Sequence, residues 1–201
     1  MPIKSQLAAY GIELRNTIDA ALYRLAQLNR LASEWLAVSE AWKLAPHDEG
    51  PSMAPWGPLQ AETFAQIDGF LAAFFRVSLL VFPERDAGFT ELRGREIRAI
   101  TDVPADSVFN DREFRDSWLH HDERLDDAIA LGLGHAGQRF TVAVDVTNKM
   151  KAAHLRIIEM DTQVVHYRDS QGGYRQASLR AMGDALHVLN TKWPRLLSLG
   201  S

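Results

Sequence analysis

The sequence contains no cysteine. That absence excludes a disulfide scaffold, cysteine-ligated zinc, iron–sulfur clusters and thiol catalysis. Basic charge is not in excess either: 22 Lys and Arg stand against 26 Asp and Glu, a formal net charge of −4. A protein that coats nucleic acid through a bulk positive field is thereby excluded, while a local basic patch stays open. The most apolar stretch, 70–82, is too short to cross a bilayer and carries Arg76. Met1-Pro2-Ile3-Lys4-Ser5-Gln6 lacks the apolar core of a signal peptide, so a cytoplasmic protein with no membrane partner is expected. Glycine-rich phosphate loops, a GxSxG elbow, an HExxH pair, repeats and low-complexity tracts are all missing.

What is present is 201 residues of ordinary globular composition, 46% hydrophobic and 24% charged, enough for one domain with a real core. Apolar residues recur at steps of three and four from Leu7 and Leu14 through Leu25 and Leu31 to Trp35 and Trp42. With no proline to interrupt them, 1–45 reads as one helix of roughly 40 residues, about 60 Å long. A helix of that length predicts packing on something beyond a small domain, such as a second subunit. Prolines and glycines make 46–58 a loop. The segment 59–134 reads as a helical core, beginning with a helix that is apolar nearly all round in its last half and ends at Pro83. An amphipathic helix over 89–100 and a fourth helix from Asn110 or Asp111 to about 131 follow.

After Gly132, Gly134 and Gly137 the period changes to two. The residues 139–169 read as a small antiparallel β element, with a hairpin turning at Asp161-Thr162, and Gly172-Gly173 as a further turn. Helical spacing returns over 175–198, bent or ended near Pro194. The expected fold is mainly α, an up-and-down helical bundle with a small antiparallel hairpin or sheet inserted before the last helix.

The stretch Asp111-Arg112-Glu113-Phe114-Arg115-Asp116-Ser117-Trp118-Leu119-His120-His121-Asp122-Glu123-Arg124-Leu125-Asp126 carries the most chemistry. It resembles the HEPN superfamily (higher eukaryotes and prokaryotes nucleotide-binding), whose helical domains carry an Arg, a polar residue, three further residues and a His. Here those are Arg115, Asp116 and His120. The acidic continuation from Asp122 to Asp126, the hairpin before the last helix and the upstream Arg93-Gly94-Arg95-Glu96-Ile97-Arg98 fit the same picture, over roughly 59–197.

The resemblance implies two functions. One is a non-catalytic interaction module, or one that binds a nucleotide or nucleic acid. The other is a metal-independent endoribonuclease of toxin or defence type, with an antitoxin-like protein as partner. In the second, a 2′-hydroxyl attacks the adjacent phosphorus, and His120 would serve as general acid or base because imidazole titrates near neutrality. Arg115 would clamp the phosphoryl oxygens, and Asp116 would orient the ring. Arg95, Arg98 and Arg112 are the candidates for binding substrate phosphates. HEPN domains commonly dimerise, so a homodimer sharing one cleft is implied.

On a helical wheel, Trp118 and His121 fall close to Phe114, on the stripe expected to be buried. Arg115 and His120 flank that stripe on opposite sides, so one helix does not aim both at one substrate. The alternative for both residues is plain surface electrostatics, with Arg115 one turn from Asp111 and His120 one turn from Asp116. His120, His121, Asp122 and Glu123 are consecutive, so they fan out around the helix and do not converge on a metal. His47-Asp48-Glu49 lies in a loop. Neither metal nor cofactor is expected.

Overall fold

The computed structural model describes residues 3–44, 56–84, 88–120, 140–144, 146, 154, 156–169 and 171–198. It is mainly helical, with a small mixed four-stranded sheet before the last helices. In chain order the elements are α1 (Ile3–Leu44), α2 (Trp56–Val81), α3 (Gly88–Thr101), a one-turn 3-10 helix (Val108–Asn110), α4 (Arg112–Leu119), β1 (Phe140–Ala143), β2 (Arg156–Glu159), β3 (Val164–Arg168), β4 (Tyr174–Ser178), α5 (Leu179–Lys192) and α6 (Pro194–Leu197). The chain divides into two compact units, each drawing on both long helices: Met1–Ala26, Gln66–Asp111 and Ala181–Ser201 form the first, Gln27–Ala65 and Arg112–Arg180 the second.

In the first unit, the apolar stripe of α1 (Leu7, Leu14, Ile18, Ala21 and Leu25) is buried, as are Phe70, Leu71, Phe74, Phe75 and Val77 of α2. By length and composition α2 would suffice to cross a membrane, since it runs for 26 residues rather than the 70–82 stretch alone. In its apolar second half Phe70, Leu71, Phe74, Phe75, Val77 and Val81 are buried. Phe109 of the 3-10 helix stacks on Phe74 at 5.1 Å, and Ser78 Oγ donates to its carbonyl at 2.6 Å. Burying a side chain of this size contributes about 1.5–3 kcal/mol.

Pro83 ends α2 as the sequence predicts, because it lacks the N–H that a helix interior needs. The carbonyls left open at that terminus are met from α3: Arg93 Nη2 donates to Leu79 O at 3.0 Å, and Arg98 Nη1 to Val81 O at 2.5 Å. Between these arginines, a Cβ on Gly94 would stand 2.5 Å from Pro83 Cδ and 2.9 Å from Val81 O, so the close approach of α3 requires glycine. Asp102, left-handed at φ 51, ends α3 and pairs with Arg195 at 2.7 Å and Lys192 at 3.6 Å.

In the second unit the end of α1 and the start of α2 run antiparallel. Trp35 Nε1 donates to Thr63 Oγ1 at 2.8 Å, and its ring meets Trp56 edge-on at 5.1 Å. Beyond Trp35 the stripe is no longer buried, and Trp42 is exposed. The sheet runs β1-β2-β3-β4. β2, β3 and β4 are antiparallel neighbours, but β1 pairs parallel with β2, so the sheet is mixed rather than antiparallel. Parallel neighbours need a crossover of a dozen or more residues, which the chain between Ala143 and Arg156 has room to supply. The ladder is extended by Met160 N–H, which donates to Ala143 O at 2.9 Å.

Two further expectations are corrected here. The β2–β3 turn spans 160–163 rather than Asp161-Thr162 alone, with Gln163 left-handed at φ 55. The residues 174–178, expected partly as the start of the last helix, form β4, and α5 begins at Leu179. Gly172, at φ 80, makes the β3–β4 turn where glycine is sterically favoured.

Candidate functional site

Alternation along the strands gives the sheet two faces. Val142, Arg156, Ile158, Val165, Tyr167, Arg175 and Ala177 share one of them by register, and α4 packs on it. Phe114 meets Tyr167 at 4.9 Å between ring centroids and Trp118 at 6.1 Å. Arg175 Nε lies 3.5 Å from Glu113. Ser117 Oγ donates to Arg168 O at 3.0 Å.

Arg156 ties the sheet to the end of α4. Its Nη2 donates to Ser117 O and, at 3.1 Å, to Trp118 O, while the guanidinium lies 4.3 Å from the centre of the Trp118 ring. These carbonyls belong to the last turn of α4, where cations and donors are favoured by the open C=O groups and the helix dipole. The sequence carries a signal for this residue that the helical motif overshadowed. Arg156 shares strand parity with Ile158, so a charge stands on the core face and requires a partner there.

The motif residues divide. Arg115 is 1% exposed and lies inside with Phe114, Ser117 and Trp118; its Nε is 3.6 Å from Asp116 Oδ1. Asp116 is half-buried and His120 exposed, with the His120 N–H donating to Asp116 O at 3.0 Å, one turn on. The wheel therefore misplaces Arg115 as a flanking residue. The buried arc runs from Ser117 through Phe114 to Arg115, wider than the stripe drawn from aromatics alone. His121 and the acidic continuation lie outside the described residues, as does His47-Asp48-Glu49.

Of the arginines expected to bind phosphate, Arg112 and Arg95 are exposed. Arg98 is engaged at the end of α2, its guanidinium 4.7 Å from the Phe82 ring centre. Among the described residues no three His, Asp or Glu side chains gather as a metal site.

The opposite face of the sheet, in register, carries Thr141, Ile157, Glu159, His166 and Gln176. His166 Nε2 lies 3.4 Å from Glu159 Oε2, and its Nδ1 3.4 Å from Gln176 Nε2. Burial works to raise the Glu159 carboxyl, but hydrogen bonds from Thr162 and His166, the charge of His166 and the Val146 N–H outweigh it and hold the carboxyl below its ordinary range. At the β3–β4 turn, Asp169 Oδ1 accepts from the N–H groups of Gln171 at 3.0 Å and Gly173 at 2.8 Å, and Oδ2 from Arg175 Nε at 3.0 Å. Burial again opposes ionisation, and the Arg175 and backbone hydrogen bonds outweigh it, lowering Asp169. These polar residues were absent from the sequence reading.

No family model matches the chain, and no curated protein or solved structure matches it.

Proposed function

We propose that this chain is a HEPN-like helical domain acting as a non-catalytic interaction module, one that binds a nucleotide or nucleic acid in the cytoplasm as a homodimer. The observation that carries the reading is the burial of Arg115. A phosphate clamp must present its donors to a solvent-borne phosphodiester. Arg115 is instead buried, at 1% exposure. Arg95 in the first unit and Arg112 in the second are exposed, and each is a candidate phosphate contact within its own unit.

The endoribonuclease reading rests on a different observation: His120 is exposed and stands one turn from the half-buried Asp116. Binding and cleavage of labelled single-stranded RNA in excess EDTA separate the two. The module reading expects binding without cleavage, weakened in Arg112→Ala and Arg95→Ala. Wild-type cleavage that disappears in His120→Ala, with the fold intact by circular dichroism, overturns it. RNA that neither binds nor is cleaved, with nucleotides equally unbound, removes the ligand part of the proposal.

A further inference from the structure

Among the described residues of the first unit, the large hydrophobic side chains left in solvent are Ile12, Tyr23, Phe89, Val188 and Leu197. Phe89, Val188 and Leu197 each sit on a different element, whereas Ile12 and Tyr23 share α1. They stand three turns apart, about 16 Å, on one line along the helix, at 54% and 62% exposure. Around that line the exposed residues are small or polar: Ala9, Asn16, Asp19, Ala20 and Ala26. Arg15 and Asp19 form an ion pair on one flank at 3.7 Å, both more than half exposed, with the Arg15 guanidinium 5.5 Å from the Trp193 ring centre. An exposed pair of this kind contributes little within one chain, so a partner's opposite charges can share it.

We propose that this line of α1 is the face on which a second copy of the chain docks, antiparallel, about a two-fold axis at the level between Thr17 and Ile18. The proposal rests on the homodimer of the reading above and names its contact. In an isologous contact each feature must find its complement on the same patch of the partner. Under this operator Ile12 meets the partner's Tyr23, and Tyr23 the partner's Ile12, so both apolar anchors leave water. The same flank of each helix comes together, which places Arg15 within one residue's rise of the partner's Asp19, and Asp19 likewise against the partner's Arg15. Opposite charges thus face each other twice. Ala9 comes level with the partner's Ala26, small against small, which lets the helices approach closely. Moving the axis one turn in either direction leaves both anchors without their counterparts and separates the charges, so these four side chains set the register.

The test uses the full chain, whose lack of cysteine lets a variant carry a single thiol. Light scattering after size exclusion gives the mass. Mild oxidation of Asn16→Cys, exposed and within two residues of the axis, reads the contact, with Ala72→Cys, exposed on α2 of the same unit, as the control. The expected result is a wild-type dimer, a disulfide-linked dimer from Asn16→Cys and none from Ala72→Cys. Arg15→Asp and Asp19→Arg, each alone, set like charges against each other and weaken dimerisation about tenfold at low salt. Mixed one to one, the two variants restore opposite charges and recover the dimer as a heterodimer, a rescue that a loss of fold would not give. A wild-type dimer that does not link through Asn16→Cys, or a mixture no tighter than either variant alone, overturns this face and leaves the homodimer standing. A chain that stays monomeric throughout overturns the homodimer together with the face.

Discussion

The two units bury different chemistry. In the first, the buried polar residues among those described are Thr17, Ser78 and Thr101, and each hydroxyl finds a carbonyl: Glu13 O at 2.8 Å, Phe109 O at 2.6 Å and Ile97 O at 2.6 Å. These are short side chains that satisfy themselves locally within an apolar and aromatic core. In the second, Arg115, Arg156, His166 and Asp169 are buried. Removing charged groups from water is expensive, so such residues persist only where hydrogen bonds and opposite charges compensate. Around Arg156, His166 and Asp169 those partners are sheet and helix groups, used to fix α4 and the strands. The lesson is that buried charge marks the second unit as the place to look for function without itself being function.

The comparison can be tested by removing what each unit relies on. Phe74→Ala takes the centre from the aromatic cluster of the first unit and should cost about 3–5 kcal/mol in urea unfolding, the range for emptied aromatic sites. Arg156→Met keeps an unbranched stem beside Trp118 but leaves the Ser117 and Trp118 carbonyls without their donor. It should cost about 1–3 kcal/mol, with the loss seen as faster hydrogen exchange in α4.

The carboxylates of the second unit should also contribute to its acid sensitivity. Glu159 and Asp169 are both lowered in the folded chain, so their contribution is complete above the ordinary carboxylate range and is lost as pH falls through the lowered folded values. Glu159→Gln and Asp169→Asn should therefore flatten the acid limb of a stability-against-pH curve. An acid limb unchanged in both variants would show that the second unit's carboxylates do not set it. The smallest effect is expected from Arg95→Ala, on an exposed face, within about 0.5 kcal/mol of wild type.

Much of the helical frame was legible because its cause is local. The period of apolar residues from Leu7 to Trp35 marks α1, and the missing N–H of Pro83 ends α2. Gly172 likewise marks the turn before β4. What was not legible depends on partners. The parallel pairing of β1 with β2 is a tertiary choice between strands that alternate equally well in either direction. β4, Tyr-Arg-Gln-Ala-Ser, is a polar edge strand that offers no apolar run, and its residues pass equally for the opening of a helix. Arg115 shows the limit most clearly. A helical wheel gives the direction of a side chain, but not how much of the helix its surroundings cover, and here the buried arc extends beyond Phe114 and Trp118 to include Arg115.

The account turns on Arg115 being held inside while Arg112, one turn earlier, remains outside. Native-state labelling with an arginine-selective dicarbonyl reagent, read by peptide mass spectrometry, measures that difference directly. The account predicts rapid modification of Arg95 and Arg112, with Arg115 and Arg156 protected until the chain is unfolded. Arg115 modified as rapidly as Arg112 in the folded protein would contradict it and return the guanidinium to the surface as a phosphate ligand.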